Sequence, residues 1–336
     1  MSDTFNAFVI HQNPDTAAKQ KTIGSIETLR STDLPDESVL IKIDYSSLNY
    51  KDGLVVTGKG RVCRQLPMVG GIDLAGTVLE SADNRYQLGD RVIVNGYGLS
   101  ESHWGGYSQQ QRVNADYLVK LDAVFTTEQA MAIGTAGYTA MLCVMAIQDH
   151  GVTPQHGPIL VTGAAGGVGS VAVMLLAKLG YQVTASTGRV DATQALLTGL
   201  GASEVIDRKV FNAESKPLAG EKWAAVVDSV GGQPLATILA QVNYEGMVAA
   251  CGLAAGMGLP TTVAPFILRG VTLRGIDSVM ANQQRRHRAW QTMAELVDTN
   301  LLSTLYRVEP MSSLPALGKE ILAGQVIGRI VIDVNA

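Results

Sequence analysis

The segment Pro158–Gly169, PILVTGAAGGVG, restricts the possible folds of this chain more than any other. A β-branched run, Ile159–Thr162, leads into Gly163, Ala164, Ala165, Gly166, Gly167, Val168 and Gly169, and a helical pattern opens at Ser170. A strand ending in such a bend delivers the backbone to a helix N-terminus, where free N–H groups and the helix dipole favour an anion. Gly166 lets the main chain approach a pyrophosphate without a Cβ in the way, and Gly169 permits close packing of helix on strand. Ala164 stands where the fingerprint G-x-G-x-x-G has its first glycine, so the match is partial. The context carries the signal: a strand before, a helix after, and further strand–helix units beyond.

Those units are regular. Candidate strands are Ile159–Thr162, Gln182–Ser186, Glu204–Ile206, Ala224–Asp228, Met247–Cys251 and Val271–Arg274. Helices are expected over Ser170–Leu179, Ala192–Leu200 and Pro234–Ala240. The alternation predicts an α/β, doubly wound unit with a six-stranded parallel sheet. Upstream, from Met1 to about Asp122, short apolar runs such as Val39–Tyr45, Gly76–Leu79, Arg91–Val94 and Tyr117–Leu121 are divided by Gly, Asp and Asn. That texture predicts a β-rich, partly closed barrel. Thr127–Ile147 reads as helix, Asn282–Val297 as a basic helix, and Gly328–Val334 as a strand returning to the N-terminal domain. With 336 residues, two domains are expected. Their predicted limits are 1–127 with 281–336 for the β-rich domain and 128–280 for the dinucleotide domain, with a cleft between them.

The second strand bears on the choice of nucleotide. A site for NAD presents an acid at that strand's tip to accept the ribose hydroxyls. Here the tip reads Ala185, Ser186, Thr187, Gly188, Arg189, and Arg208 follows the third strand. A hydroxyl with two guanidinium groups suits a 2′-phosphate, so NADPH is the expected cofactor. The alternative, two ordinary surface cations, stays open at this point.

Composition removes other classes. The 26 Lys+Arg against 30 Asp+Glu give a net charge of −4, and no partnership with nucleic acid or membrane is expected. Cys63, Cys143 and Cys251 are scattered, no C-x-x-C occurs, and the five histidines form no H-x-x-x-H pair. Neither a disulfide framework nor a metal site is expected. No G-x-S-x-G element marks a hydrolase. No secretory signal and no uninterrupted apolar run of about 18 residues is evident, so a cytoplasmic protein is the expectation.

Motifs along the whole chain converge on one family. They include SSLNYKDGLVVTGKG (Ser46–Gly60), PMVGGIDLAGTV (Pro67–Val78), HWGGYSQ (His103–Gln109), VTGAAGGVGS (Val161–Ser170), DSVGG (Asp228–Gly232) and LPTTVAPFILRGVTLRGIDSV (Leu259–Val279). The chain resembles the zinc-free medium-chain dehydrogenase/reductases of the quinone oxidoreductase group, most of all the bacterial acryloyl-CoA reductases. Zinc-dependent relatives carry Gly-His-Glu where this chain has Gly71, Ile72 and Asp73.

The resemblance implies a GroES-like barrel domain, a Rossmann domain and NADPH-dependent reduction of a carbon–carbon double bond conjugated to a carbonyl. It places the cofactor against Tyr50, Thr135, Ala165, Gly166, Gly167, Val168, Gly169, Thr187, Gly188, Arg189, Arg208, Leu253, Ile267, Ser278 and Arg329. Leu253 and Ile267 have plain core as an alternative. Asn49 and Asp52 would shape the turn that carries Tyr50, itself a candidate proton donor. Lys59, Arg61 and Arg64 are candidates for the phosphates of a coenzyme A thioester, as is the run Arg285, Arg286 and Arg288. Dimerisation through an edge strand at Val271–Asp277 is implied as well, giving a homodimer. Two rivals remain: a quinone or general enone reductase, and an NADPH-binding sensor without turnover.

Overall fold

The computed structural model describes residues 3–15, 17–214 and 216–336. In chain order, β1 (Thr4–Gln12), β2 (Thr22–Arg30) and β3 (Val39–Leu48) are followed by a two-turn helix, α1 (Tyr50–Val56). Then come β4 (Met68–Val69), β5 (Asp73–Ser81), β6 (Arg91–Asn95), β7 (Gln110–Val113), β8 (Val119–Lys120) and α2 (Thr127–Asp149). The alternation continues as β9 (Ile159–Val161), α3 (Gly167–Lys178), β10 (Val183–Thr187), α4 (Val190–Gly199), β11 (Glu204–Asp207) and β12 (Trp223–Asp228). It closes with α5 (Gly232–Leu239), β13 (Val242–Ala250), α6 (Ala264–Arg269) and β14 (Thr272–Gly275). The last elements are α7 (Gln283–Leu296), α8 (Thr299–Ser303), β15 (Tyr306–Pro310), α9 (Leu314–Leu322) and β16 (Arg329–Asp333).

Two units result, Met1–Thr135 with Ser278–Ala294 and Leu302–Ala336, and Ala136–Asp277 with Glu295–Leu301. This partition differs from the expected one at the start of α2, at residues 278–280 and at Glu295–Leu301, and α2 explains the first. Gly134 breaks the helix with non-helical φ 53° and ψ −161°, so the first turns of α2 go with the first unit. An 18-residue window of α2 is apolar enough to cross a membrane, and all of it is buried in the fold.

The first unit is the GroES-like β domain. Its larger sheet runs β15-β16-β3-β5-β6-β8, with β7 also on β3, and its smaller one runs β2-β1-β4. β16 pairs antiparallel with β3, Ile330 opposite Leu48, so the terminal strand does return to the N-terminal sheet. Alternating residues Val39, Ile41 and Ile43 of β3 meet Leu74, Val78, Val92, Val94, Ile330 and Ile332 in one core. The segment Tyr117–Leu121 forms less strand than expected. Asn114 caps a 3₁₀ turn over Ala115–Tyr117, leaving two residues to β8.

The second unit is a Rossmann fold, six parallel strands in the order β11-β10-β9-β12-β13-β14. All six expected strands exist. β13 starts five residues before the expected Met247, because Val242 already pairs with Trp223, ahead of a register shift at Trp223/Ala225 that takes up the exposed Tyr244 and Glu245. Helix α6 was not anticipated; it is a six-residue turn begun by Pro265 and stopped by Gly270 in the left-handed region.

Candidate functional site

In the second unit, the strand-to-helix bend has the geometry its sequence requires. Gly163 turns the chain at φ 60°, and Ala164 N–H donates to Ser186 O at 3.0 Å, tying the bend to β10. A Cβ on Gly169 would lie 2.4 Å from Gly163 O, so only glycine lets α3 sit this close to β9. A Cβ on Gly166 would meet nothing nearer than Gly163 O at 3.3 Å; its outer side is open. Gly166 is the N-cap, and Gly167, Val168 and Gly169 fill the first turn, whose amides have no acceptor within the helix. Ala165 is buried beneath them. The observed cradle fits the pyrophosphate of a dinucleotide.

The neighbouring strand ends are locked together. Thr162 Oγ1 donates to Asp228 Oδ1 at 2.7 Å, and Gly231 N–H donates to Asp228 Oδ2 at 2.8 Å. Burial pushes the Asp228 carboxyl above the usual range. A Cβ on Gly252 would lie 2.3 Å from Ser229 O, so the chain leaving β13 crosses close over the chain leaving β12.

At the ends of β10 and β11, Thr187 lies opposite Asp207, and Arg189 N–H donates to Thr187 Oγ1 at 3.2 Å. Arg208 lies across Gly188: a Cβ there would be 2.7 Å from its Nε. Thr187, Gly188, Arg189 and Arg208 are therefore brought together. Asp207, a carboxylate at this edge, accepts Lys209 N–H at 2.9 Å. The core alternative for Leu253 and Ile267 is overturned; they are 57% and 72% exposed. Leu253 lies past the end of β13 and Ile267 on the short α6, neither packed into the unit.

The first unit holds the other nominated residues. Tyr50 opens α1 and is 51% exposed. Its turn is fixed by Asn49, whose N–H donates to Asp52 Oδ2 at 2.9 Å, while Asp52 Oδ1 accepts Ile72 N–H at 3.0 Å. Asp73 is equally surrounded: it accepts from Ser47 N–H at 3.0 Å, Ser47 Oγ at 2.7 Å and Thr135 N–H at 2.8 Å. Thr135 is thus held by its backbone on Asp73. Arg329 is buried, with its guanidinium spent on Ala132 O (3.0 Å), Leu48 O (3.3 Å), Asn49 Oδ1 (3.2 Å) and Ser47 Oγ (2.8 Å). Burial holds Arg329 below the ordinary arginine range and pushes the Asp52 carboxyl up to about 7, with the Asp73 charge adding to the latter. This network was not anticipated. Its members are separated by up to 282 positions, and only Asn49 and Asp52, three residues apart as a helix cap, leave a local trace.

Lys59, Arg61 and Arg64 are exposed beyond α1, Arg64 lying 4.0 Å from Glu101, which also binds Lys51 at 2.7 Å. Ser278, half-buried, offers its carbonyl to Arg286. Arg286 itself corrects the expectation of a basic surface run. It is 2% exposed, stacks 3.8 Å from the Tyr97 ring centroid, and donates to Ala281 O, Asn95 O, Ser278 O and Val279 O. Four of its five N–H donors are spent on the chain's own carbonyls, in the interior of the first unit. A cavity of about 280 Å³ in the first unit, lined by Trp104, His103, Tyr117 and Glu37, contains none of the nominated residues.

The comparisons with known proteins agree with this architecture. Residues 35–124 match the alcohol dehydrogenase GroES-like domain, and residues 167–299 match the zinc-binding dehydrogenase model. Acrylyl-CoA reductase AcuI of Ruegeria pomeroyi is 52% identical over 333 residues, 99% of this chain and 100% of that protein. This chain belongs to the medium-chain dehydrogenase/reductase family. Two solved structures of the family superpose closely on this dehydrogenase/reductase. Escherichia coli K-12 YhdH with bound NADPH is 48% identical with a TM-score of 0.94, covering 98% of this chain and 100% of that one. Bacillus subtilis yhfP with NAD bound is 41% identical with a TM-score of 0.93, covering 99% and 100%. That second protein, YhfP, is described as a putative quinone oxidoreductase.

The name of the zinc-binding model raises a metal that this dehydrogenase/reductase is not built to take. Ile72, aliphatic and buried, lies between Gly71 and Asp73, and both nearby carboxylates are engaged by N–H donors. Among the described residues, no three His, Cys, Asp or Glu side chains gather into a ligand set.

Proposed function

We propose that this enzyme reduces the carbon–carbon double bond of a short α,β-unsaturated acyl-CoA, acryloyl-CoA to propionyl-CoA, with NADPH. The observation that carries the cofactor choice is the meeting of Thr187, Arg189 and Arg208 around Gly188 at the ends of β10 and β11. The substrate class is supported by full-length likeness to an acrylyl-CoA reductase. When bound, NADPH supplies the hydride. The chain's task is to hold it: α3 and the bend Ala165–Gly169 take the pyrophosphate, and Arg189 and Arg208 take the 2′-phosphate. Exposure supports contacts by Tyr50, Leu253 and Ile267, and family resemblance supports one by Ser278. Thr135 and Arg329 act instead by fixing the turn that carries Tyr50.

Charge develops on the substrate carbonyl oxygen as the double bond is reduced, and donors must stabilise it. Tyr50 is the proposed proton donor, and Lys59, Arg61 and Arg64, exposed and cationic, are proposed for the coenzyme A phosphates. A cytoplasmic homodimer completes the reading. The edge strand β14 and the exposed apolar residues Val263 and Leu268, which precede it in the chain, support self-pairing. Light scattering of the purified protein tests it, and a monomer overturns it.

Initial rates with acryloyl-CoA, crotonyl-CoA and a quinone, each with NADPH and NADH, test the function. The reading expects acryloyl-CoA with NADPH to give the highest kcat/KM. The likeness to a putative quinone oxidoreductase favours one rival; fastest turnover of the quinone would establish it.

A further inference from the structure

Asn49 is bonded to every charged group buried in the first unit's polar network. Its Oδ1 accepts Arg329 Nη1 at 3.2 Å, and its Nδ2 donates to Asp52 Oδ2 at 3.0 Å and to Asp73 Oδ2 at 3.2 Å. Asp52 and Asp73 are 0% exposed and Arg329 is 3% exposed. One cation therefore faces two carboxylates in a dry interior, where an uncompensated charge is costly. Of the two, Asp52 is the one whose three bonds, from Asn49 N–H, Asn49 Nδ2 and Ile72 N–H, come from neutral donors with no relay through serine. Asp73 instead reaches Arg329 through Ser47 Oγ, which accepts from Nη2 at 2.8 Å and donates to Oδ2 at 2.7 Å.

We infer that Asp52 is a positioning residue for Tyr50, and that proton uptake by its carboxyl group switches the Asn49–Tyr50 turn between two hydrogen-bond arrangements. The ionised carboxylate accepts all three donors, and the cap of α1 is closed. A proton taken from solvent onto Oδ2 sets O–H against the Asn49 Nδ2 donor. The carboxamide must then turn, offering Oδ1 to the new hydroxyl and withdrawing it from Arg329 Nη1. The bond to α1 is reversed in direction, the bonds to Arg329 on β16 and to Asp73 on β5 are broken, and Tyr50 is the next residue in the chain. The groups facing Asp52 are Asp73 from β5, which favours the proton, Arg329 from β16, which opposes it, and the buried Tyr107 hydroxyl. Burial and Asp73 together bring the transition to about 7, where a cell's pH can act on it.

The consequence for turnover rests on the proposed contact of Tyr50 with cofactor, so the experiment separates the two. Full-length protein carrying 3-fluorotyrosine is titrated by ¹⁹F NMR from pH 5.5 to 8.5, with the Tyr50 signal assigned by its loss in Y50F. NADPH affinity is measured over the same range. The expected result is a Tyr50 signal with a midpoint at about 7, absent from D52N, and an NADPH Kd that falls several-fold on raising the pH in the wild type alone. A pH-independent Tyr50 signal in the wild type, or the same titration in D52N, overturns the switch. A titrating signal without any matching change in Kd supports the switch and overturns the cofactor contact of Tyr50 instead. Should D52N fail to fold, ¹³C-carboxyl spectra of the wild type carry the test: if no aspartate carbon titrates at about 7, the switch is overturned.

Discussion

Replacing Gly134 by alanine strikes the buried network at its tightest point. The residue holds φ 53° and ψ −161°, a region open to glycine and closed to side chains with a Cβ. An added Cβ would lie 2.5 Å from Arg329 Nη2, 2.6 Å from Ser47 Oγ and 3.1 Å from Asp73 Oδ2. Forcing alanine into that backbone conformation costs about 1–3 kcal/mol. Moving the guanidinium away breaks its charge-assisted bond to Ser47, worth about 1.5–3 kcal/mol. Together the loss is about 2.5–6 kcal/mol, against a total stability of about 5–15 kcal/mol for a typical domain. Urea unfolding followed by tryptophan fluorescence reads it, because Trp104 and Trp290 report on the first unit and Trp223 on the second. The first-unit transition should move to much lower urea while the Trp223 signal keeps its midpoint. Gly199→Ala is the control: nothing lies within 4 Å of its Cβ position at the end of α4, and alanine there should gain up to about 1 kcal/mol. A Gly134→Ala protein within about 1 kcal/mol of wild type would refute the strain argument.

Arg189→Ala should weaken NADPH by about tenfold or more, since one charge-assisted phosphate contact is worth about 1.5–3 kcal/mol, while leaving NADH nearly unchanged. Calorimetry with both nucleotides checks this, and an equal loss for both removes Arg189 from the 2′-phosphate site. Asp52 also sets a pH dependence of stability. Its folded pKa is raised from 3.8 to about 7, so the folded state holds a proton that the unfolded state releases between those values. The contribution is full below the unfolded pKa and is lost as pH rises through the folded one, at up to about 1.4 kcal/mol per pH unit. Wild type should therefore lose stability relative to D52N between pH 5 and 7, and parallel curves would argue against a raised pKa. Arg286→Ala takes a donor from each of the carbonyls of Asn95, Ser278 and Val279, of which Val279 keeps Tyr97 N–H, and should cost at least about 3 kcal/mol, whereas exposed Arg288→Ala should stay within about 0.5 kcal/mol. Thermal unfolding compares the two, and equal shifts would return Arg286 to the surface run its sequence implies.

The sequence made the second unit legible because its information is local. Strand-then-helix periodicity and the glycines between Val161 and Ser170 each act over a few residues, and the six strands followed from them. Helix α6 was hidden by its length, six residues being too few to show a helical period. Much of the first unit's site was not legible, for a physical reason. Arg329 and Ser47 meet across 282 positions, and nothing near either one announces the other. Arg286 shows the same effect in reverse: between Arg285 and His287 it looks like solvated charge, and only the fold turns it inward onto Tyr97. Gly134 interrupts an otherwise continuous Ala- and Met-rich helix, and its role is set by partners from β3, β5 and β16.

The pairing of β16 with β3 also orders assembly during synthesis. Leu48 leaves the ribosome 281 residues ahead of Arg329, whose guanidinium it will accept. Until that late segment emerges, the carboxylates of Asp52 and Asp73 have no buried cation, so the nascent barrel waits half-built while the second unit, Ala136–Asp277 with Glu295–Leu301, has all of its residues. Any chain halted before Arg329 would carry a finished nucleotide-binding half beside an unfinished one, a species for chaperones and proteases to recognise.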